Sequence, residues 1–201
     1  MNMRTPNTQR GATLIEVMVA VLILAIALFG MAGLTSSAIK YNQNSRMRAT
    51  GLSLATDYAE RARANLAGFA GYTHAKAYNA STREAASTDP TPPPAACEVD
   101  TSVPDKPVNT CGAAIAAYDL AQWLTNVGNR LPGGTAYVTT ELVDAASGVN
   151  GLPATRVLNI WLIWRAIAED AGFGLRQACP IAGANIAAPA EVNCMYFRIT
   201  L

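Results

Sequence analysis

Arg10-Gly11-Ala12-Thr13-Leu14-Ile15-Glu16-Val17-Met18-Val19-Ala20 sets a lone carboxylate, that of Glu16, at the mouth of an apolar run. No charged residue occurs from Val17 to Leu34. Such a run is about long enough to cross the hydrocarbon core of a bilayer as a helix, which puts Glu16 just inside the membrane edge. Insertion of an acid costs roughly 2.5–3.5 kcal/mol at a helix centre and less near its end, so an acid kept there is a candidate functional group in need of a partner.

A secretory signal peptide would have a shorter apolar core followed by a small-residue cleavage site, and this core is too long with its acid misplaced. An ordinary single-pass anchor has the same hydrophobicity. Charge bias does not separate the readings: Arg4 and Arg10 precede the run, and Lys40, Arg46 and Arg48 follow it.

The combination of a basic residue, Gly, a small residue and a Glu five positions into an apolar helix resembles the class III signal of type IV prepilins. The resemblance implies that a membrane prepilin peptidase, which is also a methyltransferase, cuts between Gly11 and Ala12 and methylates the new amino terminus. Residues 1–11 would then be the leader, Ala12 an N-methylalanine, and Glu16 the fifth residue of the mature chain. Most members of the family begin with Phe or Met, and Ala12 departs from that pattern. An α-amino group with a pKa near 8 is cationic at neutral pH, and a Glu in an apolar bundle needs such a cation. The expectation is that Glu16 and the Ala12 amine of a neighbouring subunit neutralise each other and set the axial register of assembly.

With 201 residues, 51% apolar content and one membrane helix, the chain has about 150 residues left for one soluble domain with a single core. Its formal charge of +1 becomes −1 once Arg4 and Arg10 leave with the leader. No basic excess points to nucleic acid, and no nucleic-acid partner is expected. Cys97, Cys111, Cys179 and Cys194 all follow the apolar run without a CxxC pair, and in a periplasmic head they read as two disulfides. Sequence order suggests Cys97 with Cys111 and Cys179 with Cys194, among three possible connectivities.

Past Leu34, Ala38, Tyr41, Leu52, Ala55, Tyr58, Ala59, Ala62 and Leu66 recur at three- and four-residue steps without a proline. Lys40, Arg46, Arg48, Asp57, Glu60, Arg61 and Arg63 mostly alternate with that stripe, so an apolar half (12–34) is expected to pass into an amphipathic half (35–67). One helix from Ala12 to about Leu66 would be roughly 80 Å long. Gly30, Gly33 and Gly51 are its weak points, at roughly 1 kcal/mol each relative to Ala. Residues 68–201 would form the head. Gly68 to Pro107, with Asp89-Pro90-Thr91-Pro92-Pro93-Pro94, reads as an extended loop whose proline run is a stiff spacer. Residues 113–131 carry Leu120, Trp123, Leu124, Val127 and Leu131 at helical spacing, stopped by Pro132-Gly133-Gly134. Segments 135–142, 157–165 and 195–201 read as strands, with a turn from Ser147 to Gly151. The fold class is therefore α+β, a long N-terminal helix packed on a small antiparallel sheet, as in the type IV pilin fold.

Asp119-Leu120-Ala121-Gln122-Trp123-Leu124, Arg130-Leu131-Pro132-Gly133-Gly134 and the strand with Ile160-Trp161-Leu162-Ile163-Trp164 narrow the resemblance to PilV-type minor pilins, which are similar to the I-type pseudopilin of type II secretion. The resemblance implies a subunit that primes pilus assembly and stays at the tip. Its partners would be the other minor pilins, the major pilin, a large tip adhesin and the inner membrane. A secretion pseudopilin, or a pilin that binds DNA or surfaces directly, are the alternatives. Nothing suggests an enzyme, a cofactor or a metal site. His74 is the only histidine and is expected on an exposed loop, Trp123 in the core, and Glu169-Asp170 in a solvated turn.

Overall fold

A computed structural model describes residues 11–78, 99–100, 108–109, 111–143, 155–166, 179, 186 and 192–201. The elements run α1 (Leu14–Ala64), a 3₁₀ turn (Leu66–Gly71), β1 (Val99–Asp100), β2 (Val108–Asn109), α2 (Gly112–Arg130), β3 (Thr135–Val143), β4 (Thr155–Arg165) and β5 (Val192–Thr200). This is the α+β arrangement expected of a type IV pilin fold. The chain divides into two compact units, Met1–Arg46 and Met47–Leu201. The proline run, Cys97, the 147–151 turn and Glu169-Asp170 lie outside the described residues.

In the first unit, α1 is apolar all round and its large side chains from Leu14 to Leu34 are exposed. A helix of this kind belongs in an apolar solvent, and it is long and apolar enough to cross a membrane.

In the second unit, the sheet has the order β3-β4-β5, antiparallel throughout. Its registers set Val138 opposite Ile160 and Ile160 opposite Phe197. The inner face, with Ala136, Val138, Leu158, Ile160, Leu162 and Trp164, joins Leu54, Ala55, Tyr58, Ala59 and Ala62 of α1 and Ala116, Trp123 and Val127 of α2 in one core. Gly51 is buried, and a Cβ there would meet Met195 Sδ at 3.4 Å and Leu162 Cδ1 at 3.5 Å, which is ordinary contact. Around Gly30 and Gly33 the corresponding space is empty.

Three expectations change. Leu52 is 55% exposed and Leu54 takes its place in the buried stripe, because two residues along a helix turn the side chain about 200° away. Leu66 falls beyond the helix, which stops at Ala64; Asn65 Oδ1 accepts from Gly68 N at 3.3 Å and starts the 3₁₀ turn where a plain loop was expected. His74 is 6% exposed rather than on an open loop. It bridges to β3 through His74 N to Val138 O and Val138 N to His74 O, both 2.9 Å, so strand-like pairing has drawn the segment in. The two-residue ladder between β1, near the end of the Gly- and Pro-rich stretch, and β2, just after it, was also not anticipated.

At the end of α2 the chain reverses through Leu131-Pro132-Gly133-Gly134. Gly133 has φ +60°, and Gly134 N donates to Leu131 O at 2.9 Å. Pro second and Gly third is the pattern of a type II turn, whose third position needs positive φ. Trp123, as expected, is fully buried.

Candidate processing and assembly segment

Gly11, Ala12 and Thr13 precede the helix and are exposed. Thr13 O accepts from Glu16 N at 3.0 Å and from Val17 N at 3.3 Å, closing the first turn of α1. Gly11 has nothing within 4 Å of where a Cβ would stand, so the Gly11–Ala12 bond lies in open backbone just ahead of a rigid helix. Glu16 is exposed in the first turn of α1, where unsatisfied amide N–H groups favour a negative charge. The next charged side chain along α1 is Lys40, nearly seven turns on.

A profile of the prokaryotic N-terminal methylation motif matches residues 6–32. The amino terminus is that of a type IV pilin-like prepilin. The match is consistent with processing by a prepilin peptidase and with a single-pass membrane anchor, and it points to a structural protein, a pilin or pseudopilin. No curated protein and no solved structure matches the chain.

The second unit is organised by a polar site that sequence reading missed. Arg61, expected on the solvent side of α1, donates to Asp119 Oδ1 at 3.1 Å, to Gln122 Oε1 at 3.2 Å and to Asp57 Oδ2 at 3.2 Å. The first two are on α2. Tyr72 OH lies 2.6 Å from Asp119 Oδ2 and 3.2 Å from Arg61 O; a phenol has one proton, and the shorter contact to the carboxylate takes it. Burial first, and then this bond to Asp119, hold the Tyr72 hydroxyl above its ordinary pKa. Trp123 Nε1 donates to Leu54 O at 2.8 Å, and its ring stacks on Tyr58 with centroids 4.1 Å apart. Asp119, Gln122 and Trp123 are thus one face of α2 turned toward α1, at the i, i+3, i+4 spacing that shares a helix face. That spacing was the available signal.

Two glycines let the start of α2 meet the 3₁₀ turn. A Cβ on Gly68 would stand 2.1 Å from Gly112 O, and one on Gly112 would stand 2.7 Å from Gly68 N. Asn65 Nδ2 donates to Gly112 O at 2.8 Å across the same contact. Cys111, at the N-cap of α2, is buried and disulfide-bonded; Cys97, its expected partner, is outside the described residues. A disulfide joins Cys179 to Cys194, with Cα atoms 5.4 Å apart. Both belong to a smaller cluster, with Tyr78, Ile163, Ile186 and Val192, on the outer face of the sheet.

Proposed function

We propose that the chain is a PilV-type minor pilin. It is cleaved after Gly11, methylated at Ala12, held in the inner membrane by residues 12–34 with its head in the periplasm, and assembled through Glu16 pairing with the Ala12 amine of a neighbour. In this reading residues 35–67 form the amphipathic half of the stem and residues 68–201 the head. The subunit helps to prime pilus assembly with the other minor pilins and sits at the pilus tip, where a large adhesin is a further partner. It catalyses nothing itself.

The observation that carries the reading is the junction at residues 11–16: an open Gly–Ala bond, a closed first helical turn, and one carboxylate ahead of an uncharged helix. Support for the narrower assignment comes from Asp119, Gln122 and Trp123, the residues of the resemblance, which all bind the stem helix within the head.

Intact-mass measurement on protein from cells with a prepilin peptidase tests the processing. The expected mass starts at Ala12 and includes one methyl group, less four hydrogens for two disulfides. An uncut chain would leave only a membrane anchor. Co-purification tests the assembly: recovery with pilus subunits agrees with the minor-pilin reading, and recovery with secretion components alone would replace it by a pseudopilin.

A further inference from the structure

We propose that the outer face of the sheet carries a binding site for a neutral saccharide, built on Trp161 and Tyr196 and edged by Glu141, Asn159 and Arg198. The site lies wholly within the second unit, so it holds for a pilin and for a pseudopilin alike. Register places its parts. Trp161 stands between Tyr137 of β3 and Tyr196 of β5, and the next row on the same face sets Asn159 between Thr139 and Arg198. Glu141 follows Thr139 on β3, one row further on. Two residues along a strand span about 7 Å and neighbouring strands lie about 4.8 Å apart, so the two rows cover roughly 7 by 10 Å, about the footprint of one sugar ring.

These rows are open while their neighbours are not. Ile163 and Cys194 on one side and Val157 on the other are buried, whereas Trp161, Asn159 and Tyr196 are half-buried and Glu141 and Arg198 exposed. Trp161 and Tyr196 stack with ring centroids 4.4 Å apart, which takes one face of the indole; among the described residues no ring stacks on the other. Tyr196 OH donates to Asn159 Oδ1 at 2.7 Å, and Asn159 Nδ2 donates to Glu141 Oε2 at 3.4 Å. Arg198 Nη2 lies 3.6 Å from the same oxygen. The aromatic pair is thus tied to a fixed polar edge. Both contacts on Glu141 use Oε2, so among the described residues Oε1 remains to accept, and Arg198 keeps N–H groups to donate.

A pyranose has an apolar C–H face and a rim of hydroxyls that both donate and accept. Its C–H hydrogens are drawn to the electron-rich face of an aromatic ring, and its hydroxyls meet an acceptor in Glu141 and donors in Asn159 and Arg198. Charge selects among ligands of this shape. Glu141 and Arg198 offset each other, so the site favours neither an anion nor a cation, and a neutral polyhydroxyl ligand fits it. Size selects as well. A stable protein interface buries about 800 Å² on each partner, roughly ten times the open area here, whereas an apolar surface with a few fixed polar groups is how small-molecule sites are built.

The test uses the full-length protein in lipid nanodiscs, free of sugar-headed detergent. Saturation-transfer NMR is recorded with methyl glucoside, methyl galactoside and N-acetylglucosamine as neutral probes and N-acetylneuraminic acid as the anionic one. Saturation should reach the ring C–H protons of neutral probes at millimolar concentration, as suits ligands this small, and should not reach the anionic sugar. Affinity should fall about tenfold in each of E141A and R198A, whose side chains are exposed and lie outside the core, and E141A, left with an unopposed cation, should begin to take the anionic sugar. W161A should lose binding altogether. Transfer to none of the neutral probes, equal transfer to the anionic sugar by the wild type, or undiminished binding in the E141A/R198A double variant would overturn the site.

Discussion

The hydroxyl of Tyr72 and the carboxylate of Asp119 meet at 2.6 Å, and the other oxygen of that carboxylate takes the guanidinium of Arg61 at 3.1 Å. One carboxylate thus ties the end of α1, the segment after the 3₁₀ turn, and α2. The side chains of Arg61 and Asp119 are 26% and 16% exposed, so water screens this pair less than a surface pair. Asp119→Ala should lower the unfolding free energy by about 2–3 kcal/mol, since it strands a phenol and a guanidinium. Asp119→Asn, which can still accept from Tyr72, should cost less. Denaturant midpoints of the full-length protein check both, and equal costs would sink the proposed role of the charge.

Alkaline pH should destabilise the head. Burial raises the pKa of Tyr58 and Tyr72 well above their ordinary value of 10.0, with the nearby Asp119 adding to the effect in each. Above pH 10 the unfolded chain loses these protons while the folded chain keeps them, so folding loses about 1.4 kcal/mol per pH unit for each tyrosine. Below pH 10 this contribution to stability is fully present. Tyr58 OH is buried without a hydrogen-bond partner among the described residues, so Tyr58→Phe should be neutral or stabilising at pH 7 and should shallow the alkaline slope. Unfolding curves between pH 8 and 11 would show both effects.

Glycine-to-alanine exchanges should separate three kinds of site. Gly68→Ala drives a methyl into the backbone of Gly112 and should cost about 3 kcal/mol or more, with the start of α2 displaced. Gly51→Ala meets only ordinary contact distances and should be tolerated. Gly30→Ala meets nothing and should favour the helix by roughly 1 kcal/mol. Thermal unfolding monitored by circular dichroism ranks the three, and a mild Gly68→Ala would show that the turn can yield.

The Cys179–Cys194 disulfide closes a loop of 15 residues in sequence separation. Removing it by Cys179→Ser with Cys194→Ser should cost about 3 kcal/mol on the chain-entropy account, plus packing lost at Cys194, which is buried on the outer face. Limited proteolysis should then cut first between residues 179 and 194. Cutting elsewhere first would place the weak point in another segment.

The amino-terminal signal was legible because it is local. The matched motif at residues 6–32 is a pattern of spacing along one short stretch, and the helix that carries the uncharged run is a short-range structure. The second helix and three strands were legible for the same reason: Leu120, Trp123 and Val127 repeat at helical spacing, and Pro132-Gly133 ends the pattern with the turn that its residues demand. Their boundaries shifted by only a few residues.

His74, Leu52 and Arg61 were misread because each depends on a partner far away in sequence. His74 is covered because its backbone pairs with Val138, Leu52 is open because Leu54 points at the sheet, and Arg61 turns inward because Asp119 is there to receive it. Gly68 and Gly112 show the same limit: each looks like a loop or helix-start glycine until the two backbones are seen in contact. Sequence alone determined that one end of this protein is an apolar helix with a single acid at its mouth, since periodicity and charge placement need no neighbours. Only the tertiary structure decided which polar groups became internal, because burial is a property of pairs that meet across the fold.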